Sequence, residues 1–330
     1  MRASSPRLPQ SVSLFHGLLL PVVVSTVSPL ACQCTSQSST SHLLTTDSAA
    51  MTPDRATPSK ELLECPKLLA STRNGGMQAG AYQVPPVNDR SAARAAFHSL
   101  LNGSTPDVRS FGFEIVPIPE WPGTVLVRER PDHTRGGGAY VVRTGSTSTF
   151  VVQAPHTFFD EGTLPLACDM FQRTEARALF INTTHRYKSA PEPRADEHPA
   201  DVAHAPDSLF LAMTEGLVEA IPKVDVIQLH GFQNRETTAR AVLSSGERRP
   251  GVPIVLRARA AFEAVVGPRV IVYPEDTSEL GATTNVEGMA VRHSGGRFLH
   301  VEMDGDLRRA LGADALLRGR ALDALAAAFH

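Results

Sequence analysis

From residue 111 onward, apolar positions fall in short β-branched runs broken by turn residues. Runs at 113–118, 123–130, 139–144 and 149–154 are separated by Pro, Gly or the triplet Gly136-Gly137-Gly138, the pattern of consecutive strands joined by hairpins. An antiparallel opening is expected. The period then changes. Residues 164–178, 207–221, 237–243 and 258–266 read as helices, and 178–182, 224–229, 252–256, 269–273 and 298–303 as strands. A C-terminal helix over 306–329 carries breaks at Gly312 and Gly319. Strands alternating with helices predict an α/β fold in three layers. Its mixed, mostly parallel sheet is covered by helices, with an antiparallel N-terminal portion. No internal repeat occurs, and residues 111–330 form one expected domain.

Ahead of it the chain divides into three parts. Arg2 and Arg7 precede an apolar run at 14–24, and Leu30-Ala31-Cys32 follows. Basic, then apolar, then small is the layout of a secretory signal over residues 1–31. The run is interrupted by Pro21 and is too short to cross a bilayer, so no transmembrane span is expected. Leu30-Ala31-Cys32 resembles the end of a bacterial lipoprotein signal, which leaves a lipid anchor at Cys32 and plain cleavage both open; the expected location is the periplasm or cell envelope, otherwise secreted. Residues 32–60 are Ser/Thr-rich with few large apolar side chains and read as a disordered tether. Residues 61–110, interrupted by Gly75-Gly76 and Pro85-Pro86, read as a prelude wrapped on the domain's surface, with one helical stretch at 91–101. Cys65 and Cys168 are the expected disulfide pair; an ordinary buried thiol at Cys168 is the alternative.

Charge narrows the function classes. With 32 Lys plus Arg against 34 Asp plus Glu, the net charge is −2, without the basic excess that phosphate backbones demand, so nucleic acid is not an expected partner. Aromatic residues make up 6% and Trp121 is the single tryptophan, too few for a stacking platform.

In open α/β sheets the reactive crevice lies beyond the carboxyl ends of the strands. Polar residues cluster there: His156 with Asp160 and Glu161 after 150–155, His185 and Arg186 after 178–182, His230 after 224–229, and Glu302 within the last strand. A His, an acid four or five residues on and a second His after a distant strand make a workable set for one Zn2+, which takes three N/O ligands and leaves a place for water. Glu302, flanked by Val301 and Met303, is costly to bury without a partner or a task and is the expected general base. Arg186 either grips a substrate carboxylate or polarises a carbonyl, or pairs with Asp201 or Asp207. Asp201 and His204 are candidates to orient a ligand histidine, and Asp207 to cap the next helix. Asn285 and Glu287 lie in a Gly/Thr-rich loop, 281–288, that either lines the cleft or is a turn.

The segments 154–163, Leu229-His230-Gly231 and His300-Val301-Glu302-Met303, with Leu307-Arg308, resemble the zinc carboxypeptidase superfamily in the broad sense, most nearly its poly-gamma-glutamate hydrolase and N-formylglutamate amidohydrolase branches. The resemblance covers about residues 110–310. It implies a metallohydrolase-like domain of phosphorylase/hydrolase-like fold, with His156, Asp160 or Glu161, and His230 on zinc and Glu302 as general base. Arg186, His185, Arg308 and Asn285 are the residues expected to touch substrate. The bulky Thr157-Phe158-Phe159 departs from the family's shorter or Gly-rich segment; Asp160 suits its register better than Glu161.

No Gly-x-Ser-x-Gly elbow and no phosphate loop with Lys after a strand occurs. The expected function is an exported zinc-dependent hydrolase of amide bonds in small peptides, acyl amino acids or cell-wall peptides such as peptidoglycan. The alternative is a catalytically inactive, surface-anchored binding domain of the same fold.

Overall fold

The computed structural model describes residues 64–190, 198–233 and 238–330. The expected signal (1–31), the tether (32–60) and Cys32 lie outside the described residues. The chain runs through α1 (Glu64–Ala70), β1 (Tyr82–Gln83), α2 (Val87–Leu101), β2 (Phe113–Pro117), β3 (Thr124–Glu129), β4 (Ala139–Arg143) and β5 (Phe150–Ala154). It continues with α3 (Thr163–Arg173), β6 (Ala178–Ile181), β7 (Ser189–Ala190), α4 (Leu209–Ala220), β8 (Asp225–Phe232) and β9 (Ala241–Ser244). Then come α5 (Pro253–Val266), β10 (Val270–Val272), α6 (Val286–His293), β11 (Arg297–Asp304), α7 (Gly305–Ala313) and α8 (Ala315–Ala327).

One mixed sheet has the order β10-β9-β11-β8-β5-β6-β4-β3-β2. Its centre, β11-β8-β5-β6, is parallel. The N-terminal strands β2, β3 and β4 are antiparallel, as expected, and β9 runs antiparallel to β11. Central strands buried on both faces are nearly continuous apolar runs. Alternate residues feed two cores. Ile227, Leu229, Leu299 and Val301 pack toward α1, α3, α5, α7 and α8, and Val226 and Phe298 toward α2, α4 and α6. The helices thus form the outer two of three layers. Among the described residues no helix is long and apolar enough to cross a membrane.

Several expectations need correction. Residues 61–110 are not a surface wrap where they are described: α2 is fifteen residues long, and its Ala93, Phe97, Leu100 and Leu101 are buried in the core. Helix α4 comes so close to α2 that a Cβ at Gly216 would collide with the Arg94 carbonyl oxygen. The helix expected over 237–243 is instead strand β9 from Ala241, a run buried on both faces and therefore without a helical period. The strand expected at 252–256 is the first turn of α5, where Pro253 occupies the N-terminal position that its fixed φ favours. The 281–288 loop ends in α6, whose N-cap is Asn285. Ser208, not Asp207, caps α4 by accepting from Leu211 N; Asp207 pairs with Arg90. The C-terminal helix breaks at Asp314, which caps α8, and Gly312 and Gly319 lie inside α7 and α8. Cys65 and Cys168 form the expected disulfide, joining α1 to α3.

Candidate metal centre

Alternation of β5, β8 and β11 places Gln153, Gln228, His230, His300 and Glu302 on one sheet face, toward the carboxyl ends of the strands. The register pairs His300 with Gln228 and Glu302 with His230. His156 follows β5 in a tight turn in which the amides of Phe159 and Asp160 both donate to its carbonyl, at 2.9 and 2.8 Å. That turn sets positions i and i+4 side by side, so Asp160 joins His156 while Glu161 points to solvent. Asp160 is therefore the acid of the site, and Glu161 contributes only a carbonyl, which accepts from Arg308 Nε at 2.7 Å.

Three donor atoms converge. His156 Nδ1 and His230 Nδ1 are 3.1 Å apart, and Asp160 Oδ2 lies 3.5 and 3.4 Å from them. Both Asp160 oxygens are buried without a hydrogen-bond partner. The imidazole tautomers follow from a chain of fixed donors. The Gly288 amide donates to Asn285 Oδ1 at 2.7 Å, so Asn285 Nδ2 donates to Gln228 Oε1 at 2.6 Å. That same oxygen receives the Nε2–H of His230 at 2.8 Å, while Gln228 Nε2 donates to Gln153 Oε1 at 2.9 Å. His156 Nε2 donates to Asp201 Oδ1 at 2.7 Å. Both Nδ1 lone pairs thus face Asp160 and each other.

Such a triangle suits a cation. With ligand bonds of about 2.0–2.1 Å, a tetrahedral zinc site has ligand–ligand edges of about 3.3–3.4 Å, and the observed edges bracket that length. The N/N/O donor set, with each His held through its far nitrogen, fits such an ion. Without one, a proton takes the place: burial opposes charge on His156, but Asp160 and Asp201 outweigh it and lift its pKa to about 9. Burial holds His230 down at about 4. Burial also opposes the Asp160 charge, yet the two histidines beside it, with Nδ1 atoms 3.5 and 3.4 Å away, hold its carboxyl well below the usual range.

Glu302 is buried beside His230 with Oε2 unpartnered, and burial pushes its pKa up to about 8. His300, whose ring packs 4.5 Å from that of His230, brings Nε2 to 3.7 Å from Glu302 Oε1.

No protein-family model matches the chain, and no curated protein matches it. The chain is similar to carboxypeptidase-like hydrolases and amidohydrolases of solved structure. A bacteriophage poly-gamma-glutamate hydrolase shares 13% identity over 59% of this chain and 89% of its own, with a TM-score of 0.37. A metallo-carboxypeptidase from Burkholderia cenocepacia shares 15% over 64% and 66%, with a TM-score of 0.39. The N-formylglutamate amidohydrolase from Ralstonia eutropha JMP134 shares 14% over 58% and 97%, with a TM-score of 0.37.

The other expected site residues are distributed differently. Arg186 forms the ion pair with Asp201, and its Nη1 lies 3.4 Å from His156 Nδ1. His185 sits outside the ion triangle, against Phe159 and Tyr187. Arg308 binds the carbonyls of Met303 and Glu161 and so braces the His156–Glu161 loop against β11. Asn285 orients Gln228 and caps α6. Asp201 contacts His156, as described; His204 does not, being exposed and directed at Thr284. Gln228, Gln153 and His300 were missed as functional residues. Their signal is a polar side chain at every second position of an otherwise apolar strand. Glu287 is a further buried acid on α6 with both oxygens unpartnered, its pKa raised to about 8 by burial.

Proposed function

We propose that the protein is an exported, zinc-dependent hydrolase of amide bonds, acting on small peptides, acyl amino acids or cell-wall peptides. The observation that carries this reading is the triangle of His156, Asp160 and His230, with the unpartnered Oε2 of Glu302 beside it. His156, Asp160 and His230 would hold the ion, which would supply an acidified water and polarise the substrate carbonyl. Glu302 Oε2 accepts the proton that the water gives up on attacking the carbonyl carbon, and returns it to the amine as the C–N bond breaks. Arg186, anchored by Asp201, adds positive charge where negative charge develops on the carbonyl oxygen. Arg308 keeps Asp160 and Glu302 in relative position through its two carbonyl contacts. The Cys65–Cys168 disulfide supports export, since such bonds persist in oxidising compartments.

Metal analysis of purified protein tests the centre. About one zinc per chain is expected, with loss in His156→Ala and His230→Ala; full zinc in either variant would sink the reading. Glu302→Gln should keep the metal and lose turnover on a panel of peptides and N-acyl amino acids. Undiminished turnover removes Glu302 from the mechanism.

A further inference from the structure

The loop that carries His156 and Asp160 is gripped from outside by the start of the described chain. Helix α1 is tied to α3 through Cys65–Cys168, with both residues fully buried, and α3 begins three residues after Asp160. Beyond α1 the chain turns, and Arg73 reaches the ligand loop. Its Nη2 donates to the carbonyl of Thr157, the residue after His156, at 2.9 Å, and its guanidinium carbon lies 4.0 Å above the centre of the Phe158 ring. Gly76 then passes so close that a Cβ there would collide with the Thr183 carbonyl and the Phe158 ring. Its carbonyl accepts from the amide of His185 at 2.9 Å. Residues 73–76 thus touch both the loop bearing His156 and the loop bearing Arg186. Those loops are themselves joined by Thr157 Oγ1, which donates to the Asn182 carbonyl at 2.9 Å.

We propose that residues 64–76 are a clamp on the ligand loop, anchored by Cys65–Cys168 and applied through Arg73, and that metal affinity depends on this clamp being closed. Arg73 is a positioning residue. A planar cation stacked on an aromatic ring while donating to a backbone carbonyl fixes both the side chain and the main chain of the loop. Opening the disulfide frees α1, and with it the origin from which Arg73 reaches. The protein would therefore hold its ion well only after oxidation. The affinity part of this inference rests on the proposed ion site; the clamp itself does not.

Two readouts separate them. The first is zinc affinity, measured by competition with a chromogenic chelator, for wild type, Arg73→Met, Arg73→Lys and the double variant Cys65→Ser/Cys168→Ser. The second is amide hydrogen exchange across 156–162 in metal-free protein, which reports on the loop whether or not it takes an ion. Arg73→Met and the double serine variant are expected to lose at least about tenfold in zinc affinity, the range seen when support of metal ligands is removed, and to exchange faster across 156–162. Arg73→Lys, which keeps a donor but lacks the planar face, should fall between. Arg94→Met, which removes an exposed pair with Glu219, should match wild type. Should the double serine variant fail to fold, wild type treated with reductant and Arg73→Met carry the test. Unchanged exchange in Arg73→Met overturns the clamp, and faster exchange at unchanged zinc affinity overturns its link to the metal. Wild type that takes up no zinc overturns the ion site, while exchange still decides the clamp.

Discussion

At the scale of single residues, the centre depends on which nitrogen of each histidine carries the proton. Asp201 and Gln228 settle that by accepting from the two Nε2 atoms. Asp201→Ala should lower zinc affinity about 10- to 100-fold; Asp201→Asn, which keeps an acceptor but drops the charge facing Arg186, should lose less. Chelator competition measures both. Gln228→Leu has a different signature, because it strands the His230 Nε2–H, the Asn285 amide and the Gln153 oxygen in the interior. Each stranded group costs about 1–3 kcal/mol, so denaturant unfolding should show a loss of about 3 kcal/mol or more, together with weaker zinc binding. Neither glutamine stood out in the sequence, since an amide in a buried strand carries no charge to betray it. His156, His230 and Glu302 were legible because they follow or interrupt apolar strands. Spacing alone did not separate Asp160 from Glu161; the turn sets the former alongside His156 and leaves the latter in solvent.

At the scale of elements, the strands of the antiparallel opening and of the parallel centre were read correctly, whereas Val252-Pro253-Ile254-Val255-Leu256, equally β-branched and bordered by Gly251, is the start of a helix. The errors fell where local signals were ambiguous. The run Ala241-Val242-Leu243 is too short and too uniformly apolar to show a period, and only its place between β10 and β11 makes it a strand. Helix α6 was hidden by the Gly/Thr-rich stretch before it, although Asn285 is a typical capping residue. Helix α2 looked peripheral because its apolar side is built partly of alanines, which gain their value from close approach to α4. That approach yields a prediction. Gly216→Ala should push α2 away from α4 and cost about 1–3 kcal/mol, the usual penalty of overpacking, seen as a lower denaturation midpoint. Ser208→Ala should cost about 1 kcal/mol by uncapping α4, whereas Asp207→Ala should change stability little.

At the scale of the whole molecule, stability should depend on pH through Glu129. Its carboxyl is buried and accepts from the amides of Arg135 and Gly136, both at 3.1 Å. Burial outweighs those bonds and raises its pKa to about 7. A carboxyl whose folded pKa lies above its unfolded value favours folding most when protonated. Its contribution is fully present below about pH 4.5 and is lost as pH rises through about 7. Thermal denaturation between pH 5 and 8 should therefore carry a declining component, to which the raised carboxyls of Glu287 and Glu302 also add, and Glu129→Gln should reduce its slope. The sheet register has a consequence of another kind. His230 and Glu302 are partners across β8 and β11, so a slip of one residue between those strands would send one of the two to the opposite face. A molecule zipped in the wrong register would lack the proposed ion site. Ion retention would then work as proofreading, in which a preparation selected for bound metal is a preparation selected for correctly paired chains.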